Sequence, residues 1–189
     1  MAWLFYLGLA GSGGLGPDPG QYVVEQLGHD AIRLLLLTLA LSSAARLARR
    51  PAWLRYRRML GLFCFFYASC HVLAFSAFIL AWDWRQFGAE LIERPYISMG
   101  MLAFACLLPL ALTSNGRAMR ALGRRWRLLH RLVYPALALV LVHVAWQLRS
   151  DLGIWVWYLA AAILLAAERL AGSGFPAKLQ AGKQRLKNS

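Results

Sequence analysis

The chain alternates between long unbroken apolar blocks and short stretches that hold nearly all of its charge. Four blocks are clear: 31 to 47 (AIRLLLLTLALSSAARL), 59 to 82 (MLGLFCFFYASCHVLAFSAFILAW), 96 to 113 (YISMGMLAFACLLPLALT) and 128 to 148. A fifth, 154 to 170 (IWVWYLAAAILLAAERL), frays at Glu168 and Arg169. Each is close to the roughly 20 residues that cross a hydrocarbon core. A segment in lipid must satisfy its own backbone hydrogen bonds, so each block is predicted to be a helix. Trp53, Trp82, Trp84, Trp126, Trp146, Trp155 and Trp157 fall at or near block ends, as interfacial anchors do. The pattern predicts an all-α, polytopic integral membrane helix bundle with five clear transmembrane helices.

The N-terminal run MAWLFYLGLA is too short to span and is read as a short or truncated first helix. No basic residue precedes it, which argues against a signal peptide. The next stretch, GSGGLG, formally matches a dinucleotide-binding glycine motif from Gly11 to Gly16. That motif needs a helix opening on the glycines; Pro17 and Pro19 follow instead, so a loop is predicted.

Composition agrees with the membrane reading: of 189 residues, 60% are hydrophobic and only 15% charged. Mean hydropathy is positive. Soluble domains are less apolar than this. The net charge of +13 is split among short loops, not gathered on one module, so it carries no nucleic-acid signal. Arg46, Arg49, Arg50, Arg55, Arg57 and Arg58 crowd one loop, and Arg117, Arg120, Arg124, Arg125 and Arg127 a second. Lys178, Lys183, Arg185 and Lys187 mark the tail, whereas the alternate loops are poor in basic residues. The positive-inside rule therefore puts the arginine-rich loops and the C-terminus in the cytoplasm. Attraction to anionic membrane lipid, about 1 kcal/mol per basic residue, accounts for the rest.

Cys64, Cys70 and Cys106 all fall inside spans, with no CxxC or CxxCH, so covalent haem attachment and a zinc cluster are unsupported. They read as packing thiols. No HExxH, GxSxG or P-loop occurs, which removes the soluble hydrolase and nucleotidase classes.

Histidines remain. His29 lies at the outer mouth of the first block and reads as solvated. His71, His130 and His143 are embedded, where a polar side chain is costly and usually functional. Counted from the arginine-rich side at 1.5 Å per residue, His71 lies ~18 Å and His143 ~22 Å inward. They are thus at similar depth on different helices. His130 is ~20 Å from His143 along the same helix and cannot share its metal. Two imidazoles at one level could clamp an iron porphyrin. A proton or ion pathway and plain structural hydrogen bonding stand as alternatives at this point. Mononuclear zinc would want further ligands at that depth.

The segments GGLGPDP, RRMLGLFCFFYASCH, ERPYISMG, LALTSNGRAMRALGRRWRLLHRLVY and VHVAW occur in the order and spacing of the MsrQ (YedZ) family. The chain resembles these haem-binding membrane subunits of bacterial methionine sulfoxide reductase systems over roughly residues 13 to 170. They belong to the ferric-reductase-like transmembrane superfamily. The resemblance implies a single haem-binding domain over 1–172, six helices in the family, and a basic cytoplasmic tail over 173–189. It implies b-type haem, with FMN also, in the bacterial inner membrane. Electrons from quinone or a cytoplasmic flavin reductase would pass to the periplasmic molybdopterin reductase MsrP. The family's histidines fall on His71, His130 and His143, and Arg124, Arg125, Arg127 and Arg131 are candidates for haem propionates or an FMN phosphate. A ferric or quinone reductase with another acceptor, or a non-haem proton-coupled transporter, are the competing functions.

Overall fold

The computed structural model describes residues 18–147 and 153–187. The N-terminal block, the GSGGLG stretch and the short loop carrying Arg149 lie outside these residues. Within them the backbone is helical and contains no strand. The order is α1 (Pro19–Leu47), a 3-10 turn (Pro51–Trp53), α2 (Leu54–Ala74) prolonged by a π turn (Phe75–Ile79), α3 (Trp84–Glu93) and α4 (Pro95–Leu112). Then come α5 (Gly116–Leu122), α6 (Arg124–Leu129), a 3-10 turn (His130–Leu132), α7 (Val133–Gln147) and α8 (Gly153–Lys187).

Three of these stretches are long and apolar enough to cross a membrane: Leu54–Ile79, Pro95–Leu112 and Arg124–Gln147. They are the second, third and fourth sequence blocks. Helices α1 and α8 contain the first and fifth, but Asp30 and Arg33 interrupt the apolar run of α1. Length and composition alone thus identify three candidate spans among the described residues, and the count of five is not confirmed by them.

Helix α1 starts a dozen residues before the block that predicted it. Asp18 caps it, its carboxylate accepting from the Gln21 amide at 2.9 Å, and Pro19 occupies the first turn, where its missing N–H costs nothing. The added turns bury Val23, Val24 and Leu27 against α2. The stretch between the second and third blocks is likewise not a plain loop. Asp83 accepts from the amides of Arg85 and Gln86 and starts α3, whose Trp84 and Ile92 face outward.

The most extensive packing joins α1 to α2 and α4 to α7, so the molecule is built on two helix pairs. Small residues let them approach: Ala74, Ala103 and Ala136 are fully or almost fully buried. Helix α8 closes the bundle against α1. Glu168 and Arg169, which the sequence suggested as a fraying end, are the docking contacts. Arg46 reaches Glu168 at 2.7 Å. Arg169 donates to the Leu39 carbonyl at 2.9 Å and lies over the Tyr134 ring. Most of the tryptophans expected at the interface are exposed, but Trp126 and Trp155 turn inward and donate to the Thr113 and Leu141 carbonyls.

Candidate haem site

Each helix pair anchors one imidazole on a backbone carbonyl of its other helix, and the two are held in the same way. On α2, His71 Nδ1 lies 2.8 Å from the Val24 carbonyl of α1. On α7, His143 Nδ1 lies 2.6 Å from the Tyr96 carbonyl of α4. A carbonyl only accepts, so each Nδ1 carries the proton and each Nε2 keeps a lone pair. That is the neutral tautomer a metal needs, fixed from behind by the backbone.

A glycine one turn beyond each carbonyl seats the ring. A Cβ on Gly28 would meet His71 at 3.1 Å, and one on Gly100 would meet His143 at 2.9 Å. The correspondence is one of register. Val24 and Tyr96, Gly28 and Gly100, and His71 and His143 are each 72 positions apart, and each histidine reaches back 47 residues for its carbonyl. The two pairs are a structural repeat, V-x-x-x-G with C-H-V in one and Y-x-x-x-G with V-H-V in the other.

The two imidazoles lie with ring centroids 6.3 Å apart and planes nearly perpendicular, at 85°. With metal–nitrogen bonds of about 2 Å and about 1.1 Å from ring centre to Nε2, two ligands in line across one metal stand about 6 Å apart. Between and around them is a cavity of about 520 Å³. Its deep wall is apolar, including Leu35, Ala103, Phe104, Leu107 and Val140, and its mouth carries Gln21, Glu25, Gln86, Glu90 and Arg94. The π turn feeds this wall, since Phe75 and Ile79 both line it. Among the described residues no group of three histidine, cysteine or acidic side chains could hold a metal ion. Two neutral imidazoles without a third protein donor would suit a metal that brings further ligands of its own, as iron porphyrin does. The tautomers, the spacing and the polarity gradient all fit that group.

His29 also lines this cavity, which the sequence reading missed by treating it as solvated. Its Nδ1 lies 3.2 Å from the Tyr158 hydroxyl on α8. The signal was present in Asp18–Pro19, a helix start that would have put His29 inside α1, one residue past the glycine that seats His71.

His130 is separate. It sits in the 3-10 turn between α6 and α7, where Pro135, lacking an N–H, leaves the Arg131 carbonyl without its helical partner. The straight α-helix expected from the sequence is therefore tightened locally at this turn, within the continuous stretch Arg124–Gln147. Its Nδ1 is 3.1 Å from the Trp126 carbonyl and its ring stacks on Trp126 at 3.9 Å. Its Nε2 is buried with no partner. It faces a second cavity of about 390 Å³ at the arginine-rich end, lined also by Arg55, Arg57, Arg58 and Met119. Leu35, Cys64 and Leu107 line both cavities and separate them.

Arg124, Arg125, Arg127 and Arg131 are exposed and line neither cavity. The arginines on the second cavity, Arg55, Arg57 and Arg58, come instead from the first turns of α2, a stretch that the sequence placed in a loop and assigned to topology and lipid attraction. Cys64, Cys70 and Cys106 are free thiols, and Cys64 packs in the core with its sulfur 3.4 Å from the Ala31 carbonyl.

Residues 27–141 match the family described as ferric reductase like transmembrane component. A protein-methionine-sulfoxide reductase heme-binding subunit MsrQ from Xanthomonas axonopodis pv. citri (strain 306) is 40% identical over 153 residues, 80% of this chain and 70% of that protein. No solved structure matches the chain.

Proposed function

The chain belongs to the MsrQ family of ferric-reductase-like transmembrane proteins, and from that premise we propose that it is a membrane electron-transfer subunit carrying b-type haem between His71 and His143. The observation that carries the reading is the pair of carbonyl-anchored imidazoles, 6.3 Å apart on two different helix pairs. His71 and His143 would hold the haem, which would supply a one-electron carrier there with a potential that the surrounding side chains and burial could tune.

The chain's own residues do the rest. The Val24 and Tyr96 carbonyls orient the ligands and raise their basicity. The apolar wall keeps water from the macrocycle. Charge asymmetry supports an inner-membrane protein with five spans in the described region, counting α1 and α8, and with a cytoplasmic C-terminus. In that orientation the His71–His143 cavity opens toward the periplasm, where MsrP, a molybdopterin methionine sulfoxide reductase, would take electrons. The second cavity lies where electrons arrive from quinone or a cytoplasmic flavin reductase. There the buried Nε2 of His130 awaits a ligand or hydrogen-bond partner, whether a second haem, a quinone or a flavin ring. The exposed Arg124, Arg125, Arg127 and Arg131 form a surface for an FMN phosphate or acidic lipid.

A proton-relay transporter fits less well. A relay needs both ring nitrogens to exchange protons, and here each Nδ1 proton is committed to a carbonyl. Reduced-minus-oxidised optical spectra of the purified chain test the assignment. Low-spin haem bands are expected in the native protein, and H71A and H143A are each expected to lose them. A full low-spin spectrum in either variant defeats the pairing. Reoxidation on adding MsrP and methionine sulfoxide is the expected result for the acceptor. Reoxidation by ferric chelates alone would favour a ferric reductase.

A further inference from the structure

The rim of the His71–His143 cavity holds two carboxylates and one strong cation. Glu25 is engaged by the Gln21 side-chain amide at 2.8 Å. Glu90, whose side chain is only 14% exposed, takes the Arg94 guanidinium through Nε at 2.6 Å. Arg94 is the only lysine or arginine among the described residues lining the cavity. Its backbone is extended at the junction of α3 and α4, held between the end of one helix and Pro95 of the next. Tyr96, two residues on, receives Arg94 Nη1 at 3.4 Å on its hydroxyl and holds His143 on its carbonyl. The guanidinium is thus mounted on the same short segment that orients a ligand.

An amphiphilic macrocycle entering this cavity meets apolar residues in its depth and polar ones only at the rim. Its carboxylates must therefore lie at the rim, beside Glu25 and Glu90, which repel them. Arg94 is the one group that reverses that repulsion, and its planar fork has donors beyond the two in use. Its present bond to Glu90 spans one helical turn in solvent contact, a weak kind of ion pair that a better-placed anion displaces.

We propose that Arg94 is the positioning residue for a haem propionate at the mouth of the His71–His143 cavity, with Glu90 holding the guanidinium in place until that carboxylate takes it. The inference rests on the haem reading of this cavity. It fixes which edge of the porphyrin faces out.

The test compares binding of haem and of haem dimethyl ester, which keeps the macrocycle and loses both negative charges. The probes are added to the haem-depleted full chain in detergent and followed by Soret titration. The native chain is expected to prefer haem over its ester. R94Q should weaken haem binding about tenfold, as loss of one charge-assisted hydrogen bond does, and leave ester binding unchanged. R94K keeps the charge without the fork and should recover part of the preference. E90Q, which frees Arg94 and removes a repelling charge, should widen the preference. Equal losses for haem and ester in R94Q would mean that Arg94 only holds the fold, and would overturn the proposal. If R94Q does not fold, E90Q decides, since an unchanged or narrower preference contradicts the exchange. Failure of both probes to give a low-spin spectrum in the native chain would instead refute the haem reading itself.

Discussion

At Gly100 local and tertiary preferences collide directly. In a helix interior, glycine to alanine ordinarily stabilises by about 1 kcal/mol, because alanine loses less backbone freedom on folding. At Gly100 the new Cβ would stand 2.9 Å from both Nδ1 and Cε1 of His143 and 3.3 Å from Cγ. Ordinary carbon contacts are about 3.5–4.0 Å, so the ring must move by several tenths of an ångström. It is not free to do so, because Nδ1 is already 2.6 Å from the Tyr96 carbonyl. Weakening a buried hydrogen bond costs about 1–3 kcal/mol. The balance for G100A is then a net destabilisation of up to about 2 kcal/mol, together with a displaced Nε2. The assay is the optical spectrum of the haem-loaded chain beside its thermal melt. G100A is expected to lose or distort the low-spin bands and melt earlier. G28A should do the same more mildly, since its contact with His71 is 3.1 Å. Gly88, on α3 with nothing near its Cβ position, is the control, and G88A should leave the spectrum intact and be neutral or stabilising. A G100A chain with unchanged bands and a higher melting point would refute the seating argument.

Three further outcomes are expected. Y158F removes the hydroxyl that joins His29 to α8 and should cost about 0.5–1.5 kcal/mol in a thermal melt with the haem spectrum unchanged; loss of the spectrum would make His29 part of the coordination. H130A should keep the bands assigned to His71 and His143 while slowing reduction by a quinol or flavin donor, measured by stopped-flow absorbance; disappearance of all haem by pyridine haemochrome would reject the separation of the two cavities. E168A should lower stability by no more than about 1 kcal/mol, because the Arg46 partner is half-exposed, and the gap from the native chain should shrink in high salt.

The sequence alone determined the membrane class, three of the five spans it predicted and the closeness in level of His71 and His143. All of these are one-dimensional: apolar run length and rise per residue suffice to state them. It also held the start of α1 in Asp18–Pro19, a local capping signal that hydropathy outweighed. Tertiary structure decided what the histidines touch. The carbonyls of Val24 and Tyr96 and the seats at Gly28 and Gly100 come from other helices, and nothing in a local period says which turn will lie opposite. The same holds for the arginines: a loop's charge reports its side of the membrane, but only helix packing turned Arg57 and Arg94 toward cavities and left Arg124, Arg125, Arg127 and Arg131 facing outward. The 72-residue repeat belongs to both levels, since it is written in the chain at six positions and becomes visible only when two helix pairs hold their imidazoles alike. Backbone groups have no sequence signature, so the orientation of a ligand that depends on them is settled by the fold.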